Sequence, residues 1–78
     1  MKAVKITIKL IGPFVQAAGF SEKTFDVPAG TNPEELVGLV GLDRNRPKIV
    51  TRNGAAVGPA EPVAEGDRIV IAPIYSGG

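Results

Sequence analysis

Thr31-Asn32-Pro33-Glu34-Glu35-Leu36-Val37-Gly38-Leu39-Val40-Gly41-Leu42 is the one stretch of this 78-residue chain that reads as a helix, and it stands among segments that read as strands. Thr31 and Glu34 have the spacing of a capping box. Pro33 falls in the first turn, and Glu34 and Glu35 lie where the helix dipole favours negative charge. Leu36, Leu39 and Val40 predict the buried stripe, with Leu42 packing just past the end. Gly38 and Gly41 are poor residues for a helix interior, so the helix is expected to be short and to end near Val40, with Gly41 on its C-terminal side.

Upstream, Lys2 to Ile11 alternates with a period of two: Val4, Ile6, Ile8 and Leu10 share one parity, with polar residues mostly between them. That is a strand with one buried face. Gly12-Pro13 breaks it, Phe14 to Phe20 is mixed, and Lys23 to Val27 is a second short strand with Phe25 and Val27 inward, forming a hairpin with the first. Downstream, Asp43 to Pro47 is a polar connection and Lys48 to Arg52 a strand. The adjacent Ile49 and Val50 leave its buried parity open. Asn53-Gly54 is a strong hairpin signal, with Ala55 to Val57 returning. Gly58 to Gly66 is rich in turn residues, with Val63 its one sizeable apolar anchor. Arg68 to Ala72 is the last strand, Ile69 and Ile71 facing the core, and pairing is expected to stop at Pro73. One helix on one face of a mixed four- or five-stranded sheet accounts for this order and gives the α+β class, with the first and last strands side by side at the centre.

Composition removes whole classes of function. There is no Cys and no His, hence no disulfide framework, thiolate zinc site or cysteine nucleophile, and no histidine base. Nine basic against eight acidic residues leave a net charge of +1, too little to hold a polyanion, so no nucleic acid is expected. No apolar run approaches the ~20 residues that span a bilayer, and no signal-peptide block is present. The expectation is a cytoplasmic protein that meets no membrane. Ordering so short a chain costs on the order of 1.5 kcal/mol per residue, which argues against a deep, enclosed active site. Glu65-Gly66-Asp67 offers too few hard ligands for a metal and reads as a turn, and no metal is expected.

The most informative feature is Gly77-Gly78. A pair of glycines offers a thin extension, without side chains, that can thread a narrow channel; taken alone, it reads as well as a frayed terminus or an expression scar. Its context is more specific. Val63-Ala64-Glu65-Gly66-Asp67-Arg68-Ile69-Val70-Ile71, followed by Pro73 and Ser76-Gly77-Gly78, resembles the end of the sulfur-carrier β-grasp family. That family includes the small subunit of molybdopterin synthase (MoaD-type) and the thiazole-pathway carrier (ThiS-type). Ile11-Gly12-Pro13-Phe14 with Ala17-Ala18-Gly19 is similar to the loop after the first strand of the MoaD-type branch. Thr31 to Leu42 is similar to the family's helix, and Asn53-Gly54 to its hairpin turn. The resemblance covers essentially the whole chain.

The resemblance implies a ubiquitin-like β-grasp over residues 1–73 with a flexible tail at 74–78. It also implies a chemistry. An E1-like adenylating enzyme, using ATP and magnesium, activates the carboxylate of Gly78. A sulfur donor converts the mixed anhydride to a thiocarboxylate, and a sulfur acceptor enzyme, similar to the large subunit of molybdopterin synthase, takes the sulfur. The chain itself would bind no cofactor and would be a subunit and protein substrate rather than a free-standing catalyst. Gly77 would be the steric partner of Gly78, with Ile74, Tyr75 and Ser76 the recognition stem. Val70, Ala72 and Ile74 share the parity opposite to Ile69 and Ile71. That row is either a docking patch or ordinary packing on a central strand, and Phe14 either extends the patch or fills the core. The short helix and the Pro73-Ile74-Tyr75 stem keep a ThiS-type carrier open, and a ubiquitin-like modifier or β-grasp binding module is the reading from another class.

Overall fold

The computed structural model describes residues 2–74, which form β1 (Ala3–Leu10), α1 (Pro13–Ala18), β2 (Glu22–Pro28), α2 (Pro33–Leu39), β3 (Lys48–Arg52), β4 (Ala55–Ala56) and β5 (Arg68–Pro73). The strands make one mixed sheet in the order β2-β1-β5-β3-β4. β1 and β5 run parallel at its centre, Thr7 opposite Arg68 through Leu10 opposite Ile71, and the other neighbours pair antiparallel. Period-two alternation decides which face is inside. Ile6, Ile8, Leu10, Ile69 and Ile71 are buried with Leu36, Val37, Val40, Leu42 and Val63, each such side chain contributing about 1.5–3 kcal/mol relative to exposure. This is the α+β arrangement that the order of elements predicts, and it agrees with the β-grasp that the resemblance implies.

The helix is set one residue later than the Thr31–Glu34 spacing suggests. Asn32 is the cap: its Oδ1 accepts from the Glu35 N–H at 2.9 Å, and Glu35 Oε1 accepts from the Asn32 N–H at 3.1 Å. The Thr31 hydroxyl donates instead to the Pro28 carbonyl at 2.7 Å. Both pairs have the right spacing, and Pro33 decides between them, because proline is best placed at the first helical position and so makes residue 32 the cap. The buried stripe shifts accordingly to Pro33, Leu36, Val37 and Val40, and Leu39, expected inside, is exposed. Gly41 closes the helix at φ 81°. The Leu42 N–H donates to the Val37 carbonyl and the Gly41 N–H to the Gly38 carbonyl, a Schellman motif that needs a residue free to adopt positive φ.

Two further expectations are corrected. A second helix, α1, occupies the segment read as mixed. Pro13 starts it, and it buries Phe14 with Val15 and Ala18 packed alongside. Six residues are too few to display a helical period. Nor does Pro73 lie outside the sheet: β5 includes it, opposite Lys48, and the Ile74 N–H still donates to the Pro47 carbonyl at 3.3 Å. Residues of β5 alternate in the neighbour they bond, and Ile71 accepts from Ile11 on the β1 side. The nitrogen of Pro73 therefore points to that side, beyond the end of β1, and no bond to β3 is lost.

Candidate functional site

β5 delivers the chain toward Gly77-Gly78, so the site is built around its last residues. Ile69, Ile71 and Pro73 face the core; Val70 and Ala72 face the other way and are half-buried, and Ile74 is 55% exposed. Opposite Ala72 on β3 stands Ile49, 48% exposed. On the β1 side Ile11 is 38% exposed, its N–H donating to the Ile71 carbonyl at 3.1 Å. Ile11, Ile49, Val70, Ala72 and Ile74 thus make an apolar patch on the face away from the helices, where β5 ends. Contiguous apolar surface of this kind, next to a point of chain exit, is suited to docking another protein.

The remainder of that face is polar. Lys9 stands opposite both Val70 and Glu22, and Lys5 opposite Asp26. The Glu22 carboxylate pairs with the Arg68 guanidinium at 3.1 Å, and Thr7 and Thr24 meet at 3.5 Å. The patch therefore has a polar border toward β2.

Of the residues expected at the site, Val70 and Ala72 lie on this face and Ile74 at its rim. Phe14 does not: it is 2% exposed within the core, its ring covered by the Arg46 guanidinium at 5.2 Å from the ring centre. The reading of Phe14 as part of a docking patch is corrected on that ground, since α1 turns the ring inward. Tyr75, Ser76, Gly77 and Gly78 lie outside the described residues. Ile49 and Ile11 are additions to the patch. The adjacent pair Ile49-Val50 carried the signal for the first, because two successive apolar residues in a strand must face opposite ways; here Val50 packs on the core.

Among the described residues no three acidic side chains gather as a metal site, and no helix is long and apolar enough to cross a membrane. A groove between α2 and β3 is lined by Pro33, Val37, Arg44, Lys48, Val50 and Pro59. Its lysine is committed elsewhere: the Lys48 ammonium donates to the carbonyls of Asp43, Arg44 and Arg46, closing the loop before β3. Glu65 is likewise a turn residue, its carboxylate accepting from the Lys5 N–H at 2.9 Å.

Known proteins bear on the same features. A profile of the ThiS family matches residues 8–78. Among solved structures, SAMP1, the small archaeal modifier protein 1 of Haloferax volcanii, is 26% identical, with a TM-score of 0.73 over 95% of this chain and 99% of that one. A protein described as molybdopterin converting factor subunit 1, from Pyrococcus furiosus, is 22% identical, with a TM-score of 0.77 over 92% and 99%. Urm1 from Trypanosoma brucei is 19% identical, with a TM-score of 0.68 over 100% and 99%. The likeness to the last two is one of fold, and that fold is the ubiquitin-like β-grasp. No curated protein matches the chain by sequence.

Proposed function

The chain belongs to the ThiS family, and from that premise we propose that it carries sulfur as a thiocarboxylate on Gly78, delivering it in molybdopterin synthesis. Carriers of the ThiS and MoaD type work with E1-like activating enzymes and sulfur-acceptor enzymes. On this reading ATP and magnesium belong to the first, which adenylates the Gly78 carboxylate, and the acceptor is similar to the large subunit of molybdopterin synthase. Gly77 gives room for the channel, and Ile74, Tyr75 and Ser76 form the stem that the partner grips. The chain presents a group and supplies no general base, and the work takes place in the cytoplasm.

The observation that carries this reading is the position of the apolar patch. Ile49, Val70, Ala72 and Ile74 ring the end of β5, so a partner docked there meets the residues that follow. The choice of molybdopterin over thiazole rests on the Ile11 to Gly19 segment, similar to the MoaD-type loop. In the test, the full chain is incubated with a cognate activating enzyme, ATP and a sulfur source, and its intact mass and C-terminal peptide are measured. Exchange of one oxygen for sulfur at Gly78 is expected; an unchanged mass beside an active enzyme rejects the carrier role. Supplying the charged protein to either acceptor, the pterin or the thiazole enzyme, then separates the two branches.

The likeness to SAMP1 favours a second reading, a ubiquitin-like modifier joined through Gly78 to a lysine. An isopeptide adduct on a target protein, absent when Gly77 and Gly78 are deleted, is its mark.

A further inference from the structure

Asn53 and Gly54 form the turn between β3 and β4, both at positive φ, 53° and 88°. The Asn53 side chain does more than permit the turn. Its Oδ1 accepts from the Arg68 N–H at 2.9 Å, and its Nδ2 donates to Asp67 Oδ1 at 3.0 Å. The main-chain N–H of Asn53 donates to the Arg68 carbonyl at 2.8 Å. Asp67 is 8% exposed, and its second oxygen accepts from the Ala64 N–H at 2.8 Å. One side-chain amide therefore clamps the β3–β4 turn to the turn that opens β5.

The same amide is followed by glycine, the residue that least hinders attack by its own nitrogen on the preceding side chain. We propose that Asn53-Gly54 is a site of spontaneous covalent modification, gated by the clamp, whose product can no longer remake the clamp. The Gly54 nitrogen, its proton given to solvent base, bonds to Cγ of Asn53. Nδ2 takes up a proton from solvent, the Cγ–Nδ2 bond breaks, ammonia leaves, and a succinimide ring closes. Water then adds to one or other ring carbonyl and opens it to aspartate or isoaspartate. No oxidant, metal or enzyme enters the balance.

The gate follows from the two side-chain bonds. Cγ cannot turn toward the Gly54 nitrogen while Oδ1 is held by Arg68 and Nδ2 by Asp67, so reaction proceeds only from a locally opened state. The clamp does not re-form on the product. An aspartate at 53 has no hydrogen to donate to Asp67, and it sets two carboxylates where donor met acceptor. The isoaspartate form adds a main-chain carbon to a two-residue turn whose geometry fixes the β3–β4 register. Modification thus loosens the start of β5 without touching the docking patch at its other end.

In the test, the full chain is held in mildly alkaline buffer, folded or in concentrated urea, and conversion at residue 53 is followed by peptide mass mapping. Conversion in the folded chain is expected to be at least about tenfold slower, since two hydrogen bonds must open first. Asp67→Ala, compared where circular dichroism shows it folded, narrows that gap several-fold. Asn53→Asp, which imitates one product, lowers the urea midpoint at neutral pH, because a donor to Asp67 is lost and a like charge takes its place. Equal rates in folded and unfolded chain overturn the gate. An Asn53→Asp chain as stable as the parent at neutral pH overturns the loss of the clamp. Both results can be read even if Asp67→Ala fails to fold.

Discussion

The two ends of β5 are built in opposite ways. At its start, Asp67 and Arg68 are held by polar groups from three directions. The Thr7 N–H donates to the Asp67 carbonyl from β1, Asn53 clamps from the β3–β4 turn, and Glu22 reaches across from β2. At its finish the ties are main-chain ones, among them the bonds from Ile11 to the Ile71 carbonyl and from Ile74 to the Pro47 carbonyl, and the apolar side chains of Ile11, Ile49 and Ile74 around it are exposed. A strand fixed at one end by directional bonds can leave the other end to non-directional contact with a partner. Directional anchoring and exposed apolar surface are divided between the ends of a single element six residues long.

One residue type sits at both ends and makes the sharpest test. Ile69 is 0% exposed beside the clamp, and Ile74 is 55% exposed at the finish. Ile69→Ala is expected to destabilise the fold by about 2–5 kcal/mol, since it removes buried methylenes and leaves a cavity. Ile74→Ala should stay within about 0.5 kcal/mol, as at other surface positions. Urea denaturation of the two variants checks this. Similar midpoints would dissolve the contrast between the ends.

The second prediction moves from stability to association. Ile49→Asp places a charge in the middle of the patch, opposite Ala72. Stability should change little, whereas binding to the activating or acceptor enzyme should weaken at least about tenfold, as for loss of a central interface residue. Titration calorimetry against the partner, with the urea midpoint as control, measures both. Unchanged affinity would mean that the patch is ordinary strand surface and that the exit of β5 is recognised by other groups.

The sequence made the strand half of this comparison legible and the polar half only partly so. Alternation in Lys2 to Ile11 and in Arg68 to Ala72 identified two strands and their inner faces, because period two is visible within a few residues. It placed Val70, Ala72 and Ile74 away from the core, whereas Ile49 stayed undecided until β5 fixed its register. Phe14 was undecidable, for α1 is too short to show a period and its glycine borders read as loop. Asn53 looked like a turn residue and nothing else. Its partner Asp67 is 14 positions away, and a side-chain bond between two turns leaves no periodic trace. Pro33, at the first helical position, is what marks Asn32 as the cap against the equally spaced Thr31–Glu34 pair.

At the anchored end itself, the smallest effect is expected from the ion pair. Arg68 and Glu22 meet with side chains 48% and 47% exposed, so water screens their attraction and both lose side-chain freedom in meeting. Glu22→Gln should cost about 0.2–1 kcal/mol at low salt and almost nothing at high salt. The Asn53–Asp67 contact is only partly exposed and joins a neutral amide to a carboxylate, so salt should leave the effect of Asp67→Ala nearly unchanged. Measuring both variants across a salt series therefore separates the parts of the anchor. Should the Glu22→Gln loss be large and independent of salt, the start of β5 would be held chiefly from β2, and Asn53 would fall to a secondary role there.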